Sequence, residues 1–449
     1  MDKKDKFIYQ TPDGITDSSY CHANNMVKCA TRVVKKLVNF SEVTIVTPMQ
    51  SGKTKVMDKK DKFLYQTPDG TTNSSYCHAD NVVKCAARVV KKLVNFSEVI
   101  VVAPMQSGKT EIMKRLIYLI NNNNAKIKLL DVEIDRYNIY VVVCASSINL
   151  KKQHQDKLPE IKNKIYHLND IQKLLKSNSD DLIQMVDSSL IIFDECHCDA
   201  EQRKLIDRFR KLLEYTATQN KTFYHVVGFS ATPYEQVAAG YPMVIMKPGP
   251  GYYGIEDMFR SHFSSDPKIM PTIFQAKDLR DASECIDLFS QINLYNYYYI
   301  FRLPNKQDDE KKVIDNICRE IKSRKIRFDS IIYDMHYRQN INHLLQKKPK
   351  KPTIIYIKNK LRLGESLDTT NVYMVHDNFK SMFTHTVVQS LLGRCCGYNK
   401  KSHGVIIYCD YEKADNHYRW MKENYNINYL PCNAKYIKND GCTKDICIY

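Results

Sequence analysis

The stretch VIVVAPMQSGKTEI (99–112) decides the fold. Four β-branched residues run without a polar break, the pattern of a strand buried on both faces. Pro104 follows close behind, then Ser107-Gly108-Lys109-Thr110. The continuation EIMKRLIYLI (111–120) places Ile112, Met113, Leu116, Ile117 and Ile120 at helical spacing. Strand, small-residue loop, helix is a geometry that cradles phosphate, because free backbone N–H groups and a helix N-terminus then face the anion. Residues 103–110 (Ala103, Pro104, Met105, Gln106, Ser107, Gly108, Lys109 and Thr110) meet the pattern G-x-x-x-x-G-K-[ST], except that Ala103 replaces the first glycine. In such a loop Lys109 reaches the β- and γ-phosphates and Thr110 ligates Mg²⁺.

A near copy lies upstream, VTIVTPMQSGKTKV (43–56), and residues 1–56 match 57–112 at 45 of 56 positions. Two copies without a third make a tandem duplication, not a stacked array. Each copy carries a helical pattern, in the second Val82, Val83, Ala86, Val89, Val90 and Leu93. Only the second loop runs on into an amphipathic helix; after the first, the chain restarts at Met57 with DKKDKF. The expectation is that Lys109 binds nucleotide and Lys53 does not. Residues 1–56 then form an inert extension, or translation begins at Met57.

The chain has 449 residues, enough for two to four domains. Its 67 Lys and Arg against 50 Asp and Glu give a net charge of +17, which favours polyanionic partners such as nucleic acid or acidic membrane. A Lys-, Asn-, Ile- and Tyr-rich composition accounts for the same surplus. No apolar run approaches the roughly 20 residues of a membrane span, so no membrane partner is expected. The 15 cysteines show no regular framework, and the first residues carry no secretory n-region or cleavage pattern, so no leader is expected. A reducing intracellular compartment, cytoplasm or nucleus, is the expected setting.

Two further strands leave into chemistry-bearing residues. In LIIFDECHC (190–198) an apolar run ends in two carboxylates, 85 residues after Lys109. Asp194 can hold Mg²⁺, directly or through its water shell, and Glu195 can orient and deprotonate an attacking water. A strand ending in solvated acids is the plainer account of either one alone. His197 with Cys196 and Cys198 does not make a zinc site, since consecutive residues at one strand end cannot wrap a tetrahedral ion. In HVVGFSATP (225–233), Ser230 and Thr232 can hydrogen-bond His197 or the acids, or simply form a turn.

Together the loop, DECH and SATP resemble the superfamily 2 helicases, DExH-box branch in its DECH form, in order and spacing. The resemblance spans roughly 95–425. VVVCASSINLKKQ (141–153) looks like the element that grips the nucleic acid backbone, with Ser146, Ser147 and Asn149 as donors. LRLGESLDTT (361–370) resembles a second-domain coupling motif, here Gly364 and Asp368. QSLLGRCCGY (389–398) resembles the arginine motif and its form is similar to that of helicases from large DNA viruses and phages. The resemblance implies two tandem RecA-like parallel-sheet domains in an α/β fold, with ATP and Mg²⁺ between them. It sets Asp194, Glu195 and His197 on one side, Gln389 and Arg394 on the other, with Arg394 as arginine finger. Beyond Ala103, the chain departs from the pattern where Gly397 stands in place of a second arginine, where Gln389 sits one residue further from the Gly-Arg pair, and where no adenine-reading glutamine is evident (Gln66 lies far upstream).

Strands alternate with helical patterns through 95–245 and again through about 270–425. The organisation expected is a duplicated segment 1–56 without nucleotide-binding function, an ATP-binding domain 57–245, a linker 246–270, a second domain 271–425 and a tail 426–449. MKPGPGYYGIEDM (246–258) reads as a hinge, its Tyr252 and Tyr253 packing locally or stacking on bases. QKKPKKPT (346–353) is a basic loop, either a solvated face or a phosphate contact. Trp420 reads as packing. Cys432, Cys442 and Cys447 lack a fourth metal ligand at finger spacing. The function expected is an ATP-dependent helicase or translocase on DNA or RNA, single-stranded in its working contact. A catalytically weak nucleic-acid clamp is the alternative, and a protein-directed nucleotide switch is disfavoured by the arginine motif. DNA against RNA, polarity and oligomeric state stay open.

Overall fold

Two sheets of six parallel strands each organise the chain. The computed structural model describes residues 72–121, 127–129, 132–134, 138–144, 148–176, 180–196, 200–262, 271–361, 367–377, 380, 384–398, 405–431, 434–437 and 445–448. The first repeat copy with Lys53, together with Gln66, Ser146, Ser147, His197 and Gly364, lies outside them, as does the side chain of Asn149.

The first unit runs α1 (Thr72–Leu93), β1 (Glu98–Val102), α2 (Lys109–Asn121), a small antiparallel pair β2 (Ile127–Leu129) and β3 (Val132–Ile134), β4 (Asn138–Val143), α3 (Ile148–Lys157), β5 (Ile165–His167), α4 (Leu168–Leu174), α5 (Asp180–Val186), β6 (Ser189–Asp194), α6 (Ala200–Asn220), β7 (Tyr224–Ser230), α7 (Tyr234–Ala238) and β8 (Met243–Ile245). The strand order is β5-β4-β6-β7-β1-β8. Parallel strands need crossovers that cover both faces, and the apolar runs match: β6 is buried at all six positions and β1 at all but the first. Val82, Ala86, Val89 and Leu93 of α1 pack with Ile112, Leu116 and Ile120 of α2 on one face. Phe209 and Leu213 of α6 close the other with Ile171 and Met185.

The second unit runs α8 (Ile255–His262), β9 (Ile273–Gln275), α9 (Ala282–Ser290), β10 (Tyr298–Arg302), α10 (Gln307–Ser323), β11 (Asp329–Tyr333), α11 (Ile341–Leu345), β12 (Thr353–Ile357), β13 (Val372–His376), α12 (Thr384–Gln389), α13 (Leu391–Arg394), β14 (Ile406–Cys409) and α14 (Tyr411–Lys422). Its strand order is β11-β12-β10-β13-β14-β9. A short antiparallel pair, β15 (Ala434–Ile437) and β16 (Asp445–Ile448), ends the described chain. The architecture is α/β, two tandem RecA-like domains. Among the described residues no helix is long and apolar enough to cross a membrane.

Register positions the site. Val102 pairs with Ser230, Asp194 with Phe229 and Val143 with Asp194, so the first sheet's strands end level. Residues 103, 195 and 231 therefore emerge side by side at the carboxyl edge, where open α/β sheets bind ligands. Apolar packing joins the two units. Met105 and Ala231 of the first lie in a core cluster with Val388, Leu391 and Leu392 of the second. Trp420 and Tyr425 pack with Ile100, Val102 and Tyr234.

Candidate functional site

The candidate phosphate loop leaves β1 through Ala103, whose N–H donates to the Ser230 carbonyl at 3.0 Å. Two of its residues turn left-handed, Gln106 at φ 55° and Gly108 at φ 104°. Ala103 does not, so the missing glycine falls where the backbone needs none. Ser107 is buried, its hydroxyl 3.5 Å from the Met246 sulfur. Lys109 and Thr110 open α2, whose N-terminus carries partial positive charge.

The Lys109 ammonium pairs with the Glu195 carboxylate, which is itself buried. Glu195 stands at φ 54°, a conformation that costs a non-glycine residue about 1–3 kcal/mol and clusters at functional sites. One residue earlier, Asp194 is buried at the end of β6. His154, from α3, donates Nε2–H to Asp194 Oδ2 at 2.7 Å. Burial alone would raise the Asp194 pKa; the hydrogen bond and charge interaction with His154, with Lys109 beyond, outweigh it and hold the carboxyl well below the usual range. Asp194 Oδ1 is buried without a hydrogen-bond partner, an acceptor available to a cation or its water shell.

The second unit reaches this row directly. Thr232, after β7, donates its N–H to Ser230 Oγ at 2.9 Å. Its hydroxyl accepts from Gln389 Nε2 at 2.5 Å, so the contact found for Thr232 crosses the domains rather than running to the acids. Gln106 Nε2 donates to the Arg394 carbonyl at 3.0 Å, and Arg394 Nη2 donates to the Gln389 carbonyl at 2.9 Å. Arg394 is 2 % exposed. Gly393 allows this approach, since a Cβ there would stand 2.1 Å from the Val388 carbonyl oxygen and 3.0 Å from Met105 Cγ.

Asp377, just past β13, supports the arginine motif. One carboxylate oxygen accepts from the Leu391 N–H at the start of α13 and the other from Arg302 Nε, each at 2.8 Å. Asp368 stands apart: it bonds Asn342 and Thr370 within its own unit.

The glycine- and proline-rich segment after β8 is a strap across both units. Tyr253 and Gly397 exchange backbone hydrogen bonds at 2.8 and 2.9 Å. Tyr252 donates its hydroxyl to the Met105 carbonyl at 2.6 Å, and Gly249 donates to the Tyr398 hydroxyl at 2.9 Å. Both tyrosines pack into the fold. Gly397, the position without a second arginine, sits at φ 136° against Gln106, where a side chain would be strained.

Sequence reasoning named Asp194, Glu195, Lys109, Thr232, Gln389 and Arg394, and the fold brings these together. It missed His154, Asp377, Arg302 and the cross-domain role of Gln106. The one available signal for His154 was its place four residues after Leu150, on the buried face of α3. Nothing in the order of residues ties Asp377 to Arg302.

Two parallel-sheet domains, with a glycine-lysine loop and acid pair on one and an arginine motif on the other, define a helicase-like core. Residues 80–235 match the family model described as type III restriction enzyme, res subunit, a helicase-family domain. The chain is 56% identical over 390 residues to uncharacterized protein L594 of Acanthamoeba polyphaga mimivirus, covering 86% of this chain and 99% of that one. It belongs to the family of that viral protein. Among solved structures it is similar to the Escherichia coli DEAH/RHA helicase HrpB, at 13% identity and TM-score 0.41 over 75% of this chain. It is also similar to Mycobacterium smegmatis helicase Lhr bound to ssDNA and AMP-PNP, at 14% identity and TM-score 0.31 over 88% of this chain. The chain spans 43% of HrpB and 50% of Lhr.

Proposed function

We propose that this protein is a nucleic-acid-stimulated ATPase of the DExH helicase type, converting closure of its two domains into movement along DNA or RNA. One observation carries this: the loop and strand ends of the first domain are hydrogen-bonded to the arginine motif of the second, through Thr232 to Gln389 and Gln106 to Arg394. A phosphate site that needs both domains is complete only when they are closed, so nucleotide and domain position are coupled.

A triphosphate and its divalent cation fit the residues present. Gly108 turns left-handed at φ 104° next to the N-terminus of α2, where a phosphate would sit. Lys109 would hold the outer phosphates, moving from its pairing with Glu195, and Glu195 so released would accept the proton of the attacking water. Thr110 and Asp194 would hold the cation, His154 fixing which Asp194 oxygen faces it. Bound Mg²⁺ supplies charge neutralisation at the phosphates. Arg394 would turn from the Gln389 carbonyl toward the transferred phosphoryl group. In the segment after β4, Ser146, Ser147 and Asn149 would donate to the strand backbone.

The test is ATP turnover with and without defined single-stranded DNA and RNA. Stimulated hydrolysis is expected, falling by about 10²–10⁴ in Glu195→Gln, the range for loss of a general base. Absence of turnover with every strand would leave a non-catalytic clamp as the better account.

A further inference from the structure

The opposite edge of the second sheet carries a feature the cleft does not use. There β11, β12, β10 and β13 begin, with Asp329 level with Thr353 and Thr353 level with Tyr298. Five-residue strands put this edge about 16 Å from the edge that holds Asp377 and the arginine motif. Two exposed basic segments meet there. Residues 319–327 contain five Lys and Arg, and 347–351 contain four. Against these nine stand two carboxylates, a formal excess of seven positive charges. Glu320 is engaged by Arg324 at 2.8 Å and Asp329 by Lys351 at 3.3 Å. The strand starts hold the segments side by side, since Asp329 N–H donates to the Pro352 carbonyl at 3.0 Å. Pro349 and Pro352 stiffen the lysine loop.

We propose that this edge is a second nucleic-acid surface, one that takes the phosphate backbone of a duplex. Charge of one sign on two neighbouring segments suits a polyanion. Single strands are held by grooves with aromatic platforms, and the rings at this edge pack mainly against one another, with Tyr295 alone half exposed. Tyr373 packs against Tyr295, Tyr297 and Tyr299 at 5.4–6.1 Å, and Lys348 covers Tyr297 at 4.7 Å. Lysines dominate the loop, and as point charges they hold phosphates without reading sequence. The surface would anchor the paired arm while the cleft side works on one strand.

The experiment is anisotropy binding of a blunt fluorescent DNA duplex to the full chain without nucleotide, so the result does not depend on ATPase activity. Lys347→Glu with Lys350→Glu should weaken binding at low salt about tenfold or more. It should also make log K against log salt shallower by about 2, the loss of two phosphate contacts. Lys350→Gln alone should give about half that change in slope, and Lys204→Glu with Lys211→Glu, exposed on α6, should change neither quantity. Unaltered affinity and slope in the double variant would overturn the proposal. So would an equal loss for single-stranded DNA, or displacement of the duplex by polyglutamate at matched charge, which would mark a site for acidic protein.

Discussion

At the scale of single residues, the acid pair is organised by a neighbour that takes no part in the motif. His154 hydrogen-bonds one oxygen of Asp194 and leaves the other, buried, without a hydrogen-bond partner. In the proposed site Asp194 holds the cation; partners of this kind orient such a ligand, and their loss costs about 10–100-fold in metal affinity or activity. His154→Ala should therefore raise the Mg²⁺ concentration for half-maximal ATPase by at least about tenfold, with His154→Gln recovering part of it through its amide N–H. An unchanged Mg²⁺ dependence would mean that His154 only packs. Lys109 and Lys53 make the sharper pair. Lys109→Ala should abolish turnover, because the lysine at the head of α2 is the one beside Glu195. Lys53→Ala should leave it intact, and the reverse outcome in the same assay would move the nucleotide to the first copy.

At the scale of elements, the strand–loop–helix tolerates Ala103 because its left-handed turns fall at Gln106 and Gly108. Ala103→Gly should thus leave kcat/KM for ATP within about twofold. Gly393→Ala should not be tolerated. Its Cβ meets backbone at 2.1 Å, and overpacking of this sort typically costs about 1–3 kcal/mol. Calorimetry should show a lower Tm, and ATPase should fall further than stability alone explains, because α12 and α13 carry Gln389 and Arg394. The elements that were legible in the sequence share one property: each buries a long apolar run next to its chemical residues, as β1, β6 and β7 do. The strap was not legible in this way. Glycine and proline in 246–258 signalled a loop correctly, yet its function as a clasp rests on Tyr252 and Tyr253 meeting Met105 and Gly397, 147 and 144 positions away. Trp420 was legible as packing, but not that its partner would be Tyr234 of the other domain, stacked at 4.7 Å. Local periodicity encodes which face is buried and says little about which distant surface buries it.

At the scale of the whole molecule, one histidine at the domain seam and two inside the sheets are buried and must stay neutral. His417 lies in the interdomain cluster, its Nδ1 accepting from the Tyr234 hydroxyl at 2.5 Å, and burial pushes its pKa down to about 3. His376 is lowered to about 4 by burial, partly offset by Asp377, and His225 to about 4 by burial. A histidine whose folded pKa lies below its unfolded value near 6.5 binds its proton first in the unfolded chain. Stability then falls as pH drops from about 6.5 toward these folded values, by up to about 1.4 kcal/mol per pH unit for each histidine. Asp194 has the same sign but acts lower, its contribution being lost only as pH falls below the ordinary carboxylate range. Denaturant melts between pH 7 and 4 should show this steep acid limb. His417→Gln keeps an acceptor for Tyr234 without a titrating ring, so its limb should be shallower by about 1.4 kcal/mol per pH unit below pH 6.5. A variant with the wild-type slope would show that His417 is accessible to protons in the folded state and that the interdomain seam is not the acid-sensitive element.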